Sequence, residues 1–368
     1  MDTAGMPELP PFWLPWSVES KTASQVFIWF FPACTALMVV RHVLTKPQLH
    51  LILYVMVWNA TLLALVGMLQ QAMGAEKMLG IWTIPHGSFF STFGYVNHGG
   101  AFFYLHAAIA AGLAHQSIKK RFPPVQISVW VLCFVLCLAA AFASLSRAAG
   151  LAALLLVLAA AGSIVRRVWT RSVGKSQLVH VIGVGCIVVL TGLVLYFGSG
   201  DGALSNEIEE TFFGARMEEA VEGRTMQLPG AWEIARDYPV FGCGGWGYRW
   251  MALLYIPVNE WDLWRGPGKA NVHCDPLQFL CEFGFVGSFL MAGAVVWLLV
   301  SFFRQRKKSG KTSVLGKWIG LGLLLVFVHG WVDLPYRCPA ILIAWCCLLA
   351  ALPKLTAPSD EWEEYGDD

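Results

Sequence analysis

The residues able to do chemistry in this sequence are few. His273 opens the run Val272-His273-Cys274-Asp275-Pro276-Leu277-Gln278, a polar His-Cys-Asp just ahead of a long apolar stretch. A neutral imidazole near pH 7 can take a proton from a hydroxyl nucleophile. The competing reading is a histidine that caps or hydrogen-bonds its own helix. Asp275 either orients that imidazole or, the preferred reading, is the N-cap ahead of Pro276 at the first helical position. Arg147 is the one charge between residues 127 and 165. It falls where two apolar spans must meet. There it either faces a polar cavity or an anionic partner, or marks the hairpin and snorkels to the headgroups. Arg224, in Gly223-Arg224-Thr225-Met226, precedes Pro229-Gly230, which mark the start of a helix. Alone it reads as a solvated loop arginine. Two arginines on one face of a membrane could clamp a diphosphate with forked, charge-assisted hydrogen bonds that a lysine's point charge cannot match. His98, beside Asn97, is a second candidate histidine and equally an interfacial residue at the start of its span. The glycines within 242–247 could offer backbone N–H groups to a phosphate, or form an ordinary turn.

The elements that must position these residues are membrane spans. Hydrophobic residues make up 57% of the chain and charged residues 14%, and the mean hydropathy is +0.58. A soluble domain does not have this composition. Apolar runs at 23–43, 50–70, 99–115, 127–145, 150–165, 177–198, 284–303, 317–333 and 338–353 predict about nine transmembrane helices at ~20 residues per span. The fold class expected is all-α and polytopic. The domain reading is N-terminal spans over 1–198, a large loop with the candidate site over 199–283, C-terminal spans over 284–353, and an acidic tail over 354–368. Within the loop, 207–222 and 224–236 read as helical, the second with Met226, Ala231, Ile234 and Ala235 as its apolar set. Pro239 and the glycines after it then break the pattern.

Lysine and arginine orient the chain. The loops at 41–46, 119–121, 166–175 and 304–311 are basic and fall on alternate sides of the spans. The positive-inside rule places all four in the cytoplasm. The large loop, the turn near Ser146 and the turn at 333–336 are then on the outer side, and the acidic tail is inside.

Several function classes are disfavoured. Basic residues occur only in short clusters between apolar runs, so no nucleic-acid partner is expected. No Asp-x-Asp, His-Glu-x-x-His, Walker or Gly-x-Ser-x-Gly pattern is present, and no cofactor or metal is expected. The 10 cysteines lie mostly inside apolar runs and read as small core residues. The expected spans carry no acidic residue in their interiors, which argues against a proton-coupled transporter.

Four stretches together resemble the O-antigen ligase superfamily, which takes in lipopolysaccharide O-antigen ligases, O-antigen polymerases and protein-glycosylating relatives. They are Thr92-Phe93-Gly94-Tyr95-Val96-Asn97-His98, Ser146-Arg147-Ala148-Ala149, Gly223-Arg224 through Asp237-Tyr238-Pro239-Val240-Phe241-Gly242-Cys243-Gly244, and Val272-His273-Cys274-Asp275-Pro276-Leu277-Gln278 with Glu282-Phe283-Gly284. The chain departs from the family pattern where Cys274 replaces an Asn or Ser, where Tyr95 replaces an Asn, and in a Ser-Arg turn without glycine. The span count is also below the family's usual dozen. The resemblance implies a membrane glycosyltransferase, similar to the GT-C type, in the bacterial inner membrane with its large loop in the periplasm. It implies inverting, metal-independent transfer of a glycan from an undecaprenyl-diphosphate donor to lipid A-core or another sugar acceptor. The roles implied are diphosphate binding for Arg147 and Arg224 and activation of the acceptor hydroxyl for His273. A polymerase using a second lipid-linked repeat unit, and a non-catalytic polysaccharide transporter or scaffold, stand as alternatives.

Overall fold

The computed structural model describes residues 11, 13–84, 89–169, 226–255, 271–310 and 312–356. Arg224, the expected helix at 207–222 and the expected span at 177–198 lie outside them. The described chain is helical, with α1 (Ser20–Met38) running into a π turn (Val39–Val43), then α2 (Lys46–Ala72), α3 (Val96–Lys119), α4 (Pro124–Ala143) and α5 (Arg147–Trp169). After the gap come α6 (Gln227–Asp237), α7 (Tyr248–Tyr255), α8 (Asp275–Ser309), α9 (Val314–His329), a 3₁₀ turn (Pro335–Arg337) and α10 (Pro339–Thr356). Among the described residues, β pairing is limited to isolated bridges. Among the described residues six helices are long and apolar enough to cross a membrane, so the described chain is an all-α, polytopic membrane fold.

α2 shows why these segments belong in lipid. Leu51, Val55, Trp58, Leu62, Leu65 and Leu69 form one exposed apolar stripe, while Leu53, Val57, Ala60, Ala64 and Gly67 face inward. A helix apolar on both faces has no water-facing side. α3 is the opposite case. From Gly99 to Ala114 every residue is buried, and it packs against α2, α4, α5 and α9. Its surface is small rather than greasy. Gly100 admits Ser144 and Ala149, Gly112 admits Leu315 and Trp318, and Gly322 on α9 admits Ala108. A Cβ at any of them would meet a neighbour, so the helices approach as closely as small-residue interfaces allow.

The contacts divide the chain into two units. The first takes in Met1–Pro32, Glu218–Trp297 and Gly330–Leu334; the second takes in Ala33–Met217, Leu298–His329 and Pro335–Asp368. α3 is the centre of the second unit. The core of the first is built by Ala231, Ile234, Tyr238, Tyr248, Met251 and Val272 with their neighbours.

Three sequence expectations change. α6 starts at Gln227, ahead of Pro229, because a first-turn proline gives up only an N–H that has no helical partner. α10 continues through Thr356, so the final helix takes the first residues assigned to the tail. Third, α8 begins at Asp275 itself, one residue ahead of the first helical position expected at Pro276, and before the apolar span at 284–303 it carries the buried acids Asp275 and Glu282. The helical segment leading into that span is therefore not free of acid.

Candidate active site

The site region of the first unit is organised by a break in α8. Gly284 has φ 60° and ψ −168°, which removes two rungs of the helix. In an unbroken helix the amides of Phe285 and Val286 would donate to the carbonyls of residues 281 and 282. Here they donate to the carbonyls of Pro239 (2.7 Å) and Val240 (3.1 Å). The carbonyls of Cys281 and Glu282 instead accept from the amides of Cys243 (3.0 Å) and Gly244 (2.9 Å). The loop after α6 thus replaces both lost rungs from both sides, which meets the requirement that buried backbone groups be paired. Glycine is needed on each strand of this crossing: a Cβ on Gly284 would overlap the backbone of Val240, and one on Gly242 would overlap that of Glu282. The amides of Gly242, Cys243, Gly244 and Gly247 are all donated to carbonyls. For these four, the phosphate-cradle reading gives way to a structural turn.

The crossing fixes the start of α8, and with it His273. Val272 is fully buried, and its amide donates to Gln278 Oε1 at 3.1 Å. The amide of Asp275 donates to the Gly330 carbonyl at 2.7 Å. Between these two clamps His273 takes φ 54°, a left-handed conformation that costs a non-glycine residue on the order of 1–2 kcal/mol. Its ring turns to the segment after α9. Nδ1 lies 3.2 Å from Asp333 Oδ1, with the side chains 27% and 2% exposed respectively. The same carboxylate oxygen accepts the Leu334 amide at 2.9 Å. In the neutral tautomer that directs Nδ1–H at the carboxylate, Nε2 carries the lone pair. An imidazole held this way, and open to solvent on one side, can accept a proton from a hydroxyl.

A buried polar chain lies behind this pair. Gln278 is fully buried; its amide nitrogen donates to Glu282 Oε1 at 2.9 Å and to Asn271 Oδ1 at 3.4 Å. Asn271 Oδ1 also accepts from Arg249 at 3.3 Å. The Arg249 guanidinium stacks 3.7 Å over the Trp246 ring. Tyr248, whose phenol burial pushes well above its ordinary range, stays protonated and donates to Gln227 Oε1 at 2.5 Å. That bond ties α7 to the start of α6.

The expected site residues distribute as follows. The carboxylate recorded against His273 is Asp333, which the sequence reading did not single out. Asp275 is the first residue of α8 and fully buried. The first helical bond, from the Gln278 amide, goes to the Cys274 carbonyl at 2.9 Å, so Cys274 occupies the cap position and Asp275 the first turn, where a negative charge suits the helix dipole. Cys243 and Cys274 are both free thiols. Burial, and then the neighbouring Asp275 carboxylate, push the Cys274 thiol up, against a lowering by the Leu277 amide. It is protonated at neutral pH.

Arg147, Asn97 and His98 belong to the second unit. The turn before Arg147 is tight: Leu145 has φ 55°, and the Gly150 amide donates to the Ser146 carbonyl at 2.8 Å. Ser146 is therefore the cap, and Arg147 the first residue of α5. This turn packs on the first turns of α3 at Gly100. There Asn97 donates to the Tyr95 hydroxyl at 2.7 Å, and the His98 ring meets the Tyr95 ring edge-on at 4.8 Å. Among the described residues no group of three or more His, Cys, Asp or Glu converges to hold a metal ion.

The signal for Asp333 was present in the sequence. It is a lone acid between two apolar runs, in the turn that the charge pattern puts on the same side as His273. No spacing rule links the two, since they are sixty residues apart in sequence. No curated protein matches the chain. The family profile described as O-antigen ligase matches residues 132–292, from within α4 to within α8. That stretch contains the Ser146-Arg147 turn, the glycine crossing and His273, and over it the chain is similar to the O-antigen ligase family.

Proposed function

We propose that the protein is a glycosyltransferase of the bacterial inner membrane that moves a glycan from an undecaprenyl-diphosphate donor to a lipid-linked sugar acceptor, with inversion and without a metal. The likeness of residues 132–292 to the O-antigen ligase family supports an enzymatic role in glycan transfer. The observation that carries the finer reading is the His273–Asp333 pair: a strained, half-open imidazole whose Nδ1 faces a buried carboxylate. The acceptor hydroxyl gives its proton to His273 Nε2 as its oxygen attacks the anomeric carbon. The bond from that carbon to the diphosphate oxygen breaks with its electron pair, and the diphosphate leaves from the opposite face, giving inversion. Asp333 stabilises the imidazolium formed in the step.

Arg147 and Arg224 are assigned the leaving diphosphate. For Arg147 one local feature supports this. Arg147 is the first residue of α5, where the backbone N–H groups of the helix N-terminus also favour an anion. Whether the acceptor is lipid A-core, as in a ligase, or a second lipid-linked repeat unit, as in a polymerase, is decided by the acceptor pocket.

The test is transfer by purified protein in detergent with EDTA present. Labelled undecaprenyl-diphosphate glycan is offered with lipid A-core or with a second donor molecule, and the assay is repeated with His273→Ala. Transfer to lipid A-core, lost in the variant, supports the ligase. Growth of the donor chain selects the polymerase. Unchanged turnover in His273→Ala rules out the base assignment. Intact glycan export by Arg224→Ala without transfer separates either enzyme from a transporter or scaffold.

A further inference from the structure

The first unit exposes apolar surface that its own core does not use. α6 buries Ala231, Ile234 and Ala235 in that core. Leu228, Trp232 and Arg236 are spaced by four, so they form one stripe on a second face. All three are exposed, Leu228 by 37% and Trp232 by 53%. Glu233 and Asp237, also spaced by four and exposed, form the neighbouring stripe. A helix on the surface of a soluble domain needs one apolar face. α6 has two, and the second ends in a cation and is bordered by acids. α7 repeats the pattern: Met251 and Ala252 are buried, while Trp250 and Leu254, again spaced by four, are exposed by 38% and 49%. Hydrogen bonds join the two helices at both ends, from the Tyr248 hydroxyl to Gln227 Oε1 and from the Tyr255 hydroxyl to Asp237 Oδ2 at 2.6 Å. The two outer stripes therefore belong to one packed pair.

What faces these stripes follows from where α6 ends. The carbonyls of Pro239 and Val240, just past its last residue, accept the amides of Phe285 and Val286. At that point α8 turns lipid-facing: Phe285, Phe289 and Leu290 are exposed by 62%, 77% and 67%, whereas no residue of α8 before Phe285 is exposed. The end of α6 is thus pinned at the edge of the hydrocarbon layer. Its 11 residues make a helix about 16 Å long, so all of it stays close to that edge. The outer stripes have the chemistry of this depth. Tryptophan prefers the headgroup level, leucine reaches below it, and an arginine beside them lays its stem on apolar surface with its charge among lipid phosphates. Acids on the adjoining stripe stay in water, as on helices that lie in a membrane interface. We propose that α6 and α7 rest on the bilayer surface at the N-terminal end of the α8 span, with Leu228, Trp232, Trp250 and Leu254 in the headgroup layer and Arg236 on lipid phosphates. The segment that carries His273 is then seated on the membrane, whichever reaction it serves.

The test puts the photoreactive residue p-benzoylphenylalanine at single positions of the full-length chain. The protein is reconstituted in nanodiscs of phosphatidylethanolamine and phosphatidylglycerol, irradiated, and read for adducts by mass spectrometry. Phe289→p-benzoylphenylalanine, on the lipid-facing span, is the positive control. Trp232→p-benzoylphenylalanine and Leu254→p-benzoylphenylalanine are expected to give phospholipid adducts as Phe289 does. Glu233→p-benzoylphenylalanine, on the neighbouring stripe of α6, is expected to lose them. Every replaced side chain is exposed, and an unchanged thermal midpoint checks that each variant is folded. Lipid adducts at Phe289 with none at Trp232 overturn the proposal. Equal adducts at Trp232 and Glu233 overturn it as well, because the bilayer would then not distinguish the two stripes. A cross-link from Trp232 to residues 199–225 or 256–270, or to a second copy of the chain, in place of lipid overturns it in favour of protein as the cover of the stripe.

Discussion

The two units solve burial in opposite ways. Around α3 the second unit buries glycine, alanine and aliphatic side chains. Its buried polar groups mostly bond to their own helix: Thr61 to the Val57 carbonyl, His106 to that of Phe102, Ser144 to that of Ala141, Thr356 to that of Pro353. In the first unit the buried polar groups reach across the chain. Among the described residues three carboxylates are buried, Asp275, Glu282 and Asp333, and all three are in that unit. Left-handed backbone differs in the same way. Gly74, Gly80 and Gly310 turn in open space, whereas Gly242, Gly244 and Gly284 turn where another backbone segment passes within van der Waals distance. Buried charge and strained backbone both cost stability. The buried carboxylates, gathered in one unit together with backbone crossings that only glycine allows, locate the part of the molecule held in shape for something other than stability.

The sharpest way to break this comparison is at Asp333. Asp333→Asn keeps an acceptor for Nδ1 and removes the negative charge that stabilises the imidazolium. Transfer should fall by about 10²–10⁴-fold, the range of a positioned base, with the thermal midpoint of the detergent-solubilised protein little changed. A loss below about ten-fold would mean the carboxylate only completes packing. Next comes the glycine crossing. Gly284→Ala places a Cβ against Val240 and strains φ, and should cost about 1–3 kcal/mol from the backbone alone, with the overlap adding to it. Gly74→Ala, in the second unit, meets nothing within 4 Å and should cost only the left-handed strain, about 1–2 kcal/mol. Equal melting shifts for the two would show that the crossing is not tight.

Much of this was legible in the sequence because the signals were local. Apolar runs gave the helices, and the apolar run after Glu282-Phe283-Gly284 begins at the residue where α8 breaks. The Ser146-Arg147 turn and the polar opening at Val272-His273 were visible as single charges in apolar surroundings. What was not legible depends on contacts between segments far apart in the chain. Asp333 meets His273 through tertiary packing, and the glycines at 242–244 read equally as an anion cradle or a turn until their amides are followed to Cys281 and Glu282. Asp275 was legible as the opening of the helix before Pro276; what was not legible is that it and Glu282 are fully buried, because burial of an acid is set by tertiary packing.

Smaller effects test the relay behind the site. Gln278→Met matches the side-chain volume but leaves the Val272 amide and the Glu282 carboxylate without the bonds they now make. Stranding buried groups costs about 1–3 kcal/mol each, and transfer should fall with the melting midpoint because the strained turn at His273 loses its inner clamp. Thr61→Val, the matching change in the second unit, removes a bond to the same helix and should cost below about 1 kcal/mol, with transfer unchanged. If Gln278→Met lowered stability and left transfer intact, Gln278 would be a packing residue and the clamp on Val272 irrelevant to the histidine.

The smallest effect is expected beside the histidine itself. Cys274 stands in the first position after His273, where a reactive thiol would offer a second nucleophile to the site. Burial and the Asp275 carboxylate hold it above the ordinary thiol range, so near neutral pH it is a protonated, uncharged group, and the thiolate is the reactive form. Cys274→Ser should therefore leave transfer within roughly two-fold of the native rate, the scale of a substitution that touches no special feature. Iodoacetamide should label Cys274 slowly at pH 7 and faster as the pH rises. Rapid labelling at neutral pH, with loss of transfer in the serine variant, would instead give the thiol a role in the chemistry and move the comparison of the two units from positioned acid and base to positioned nucleophile.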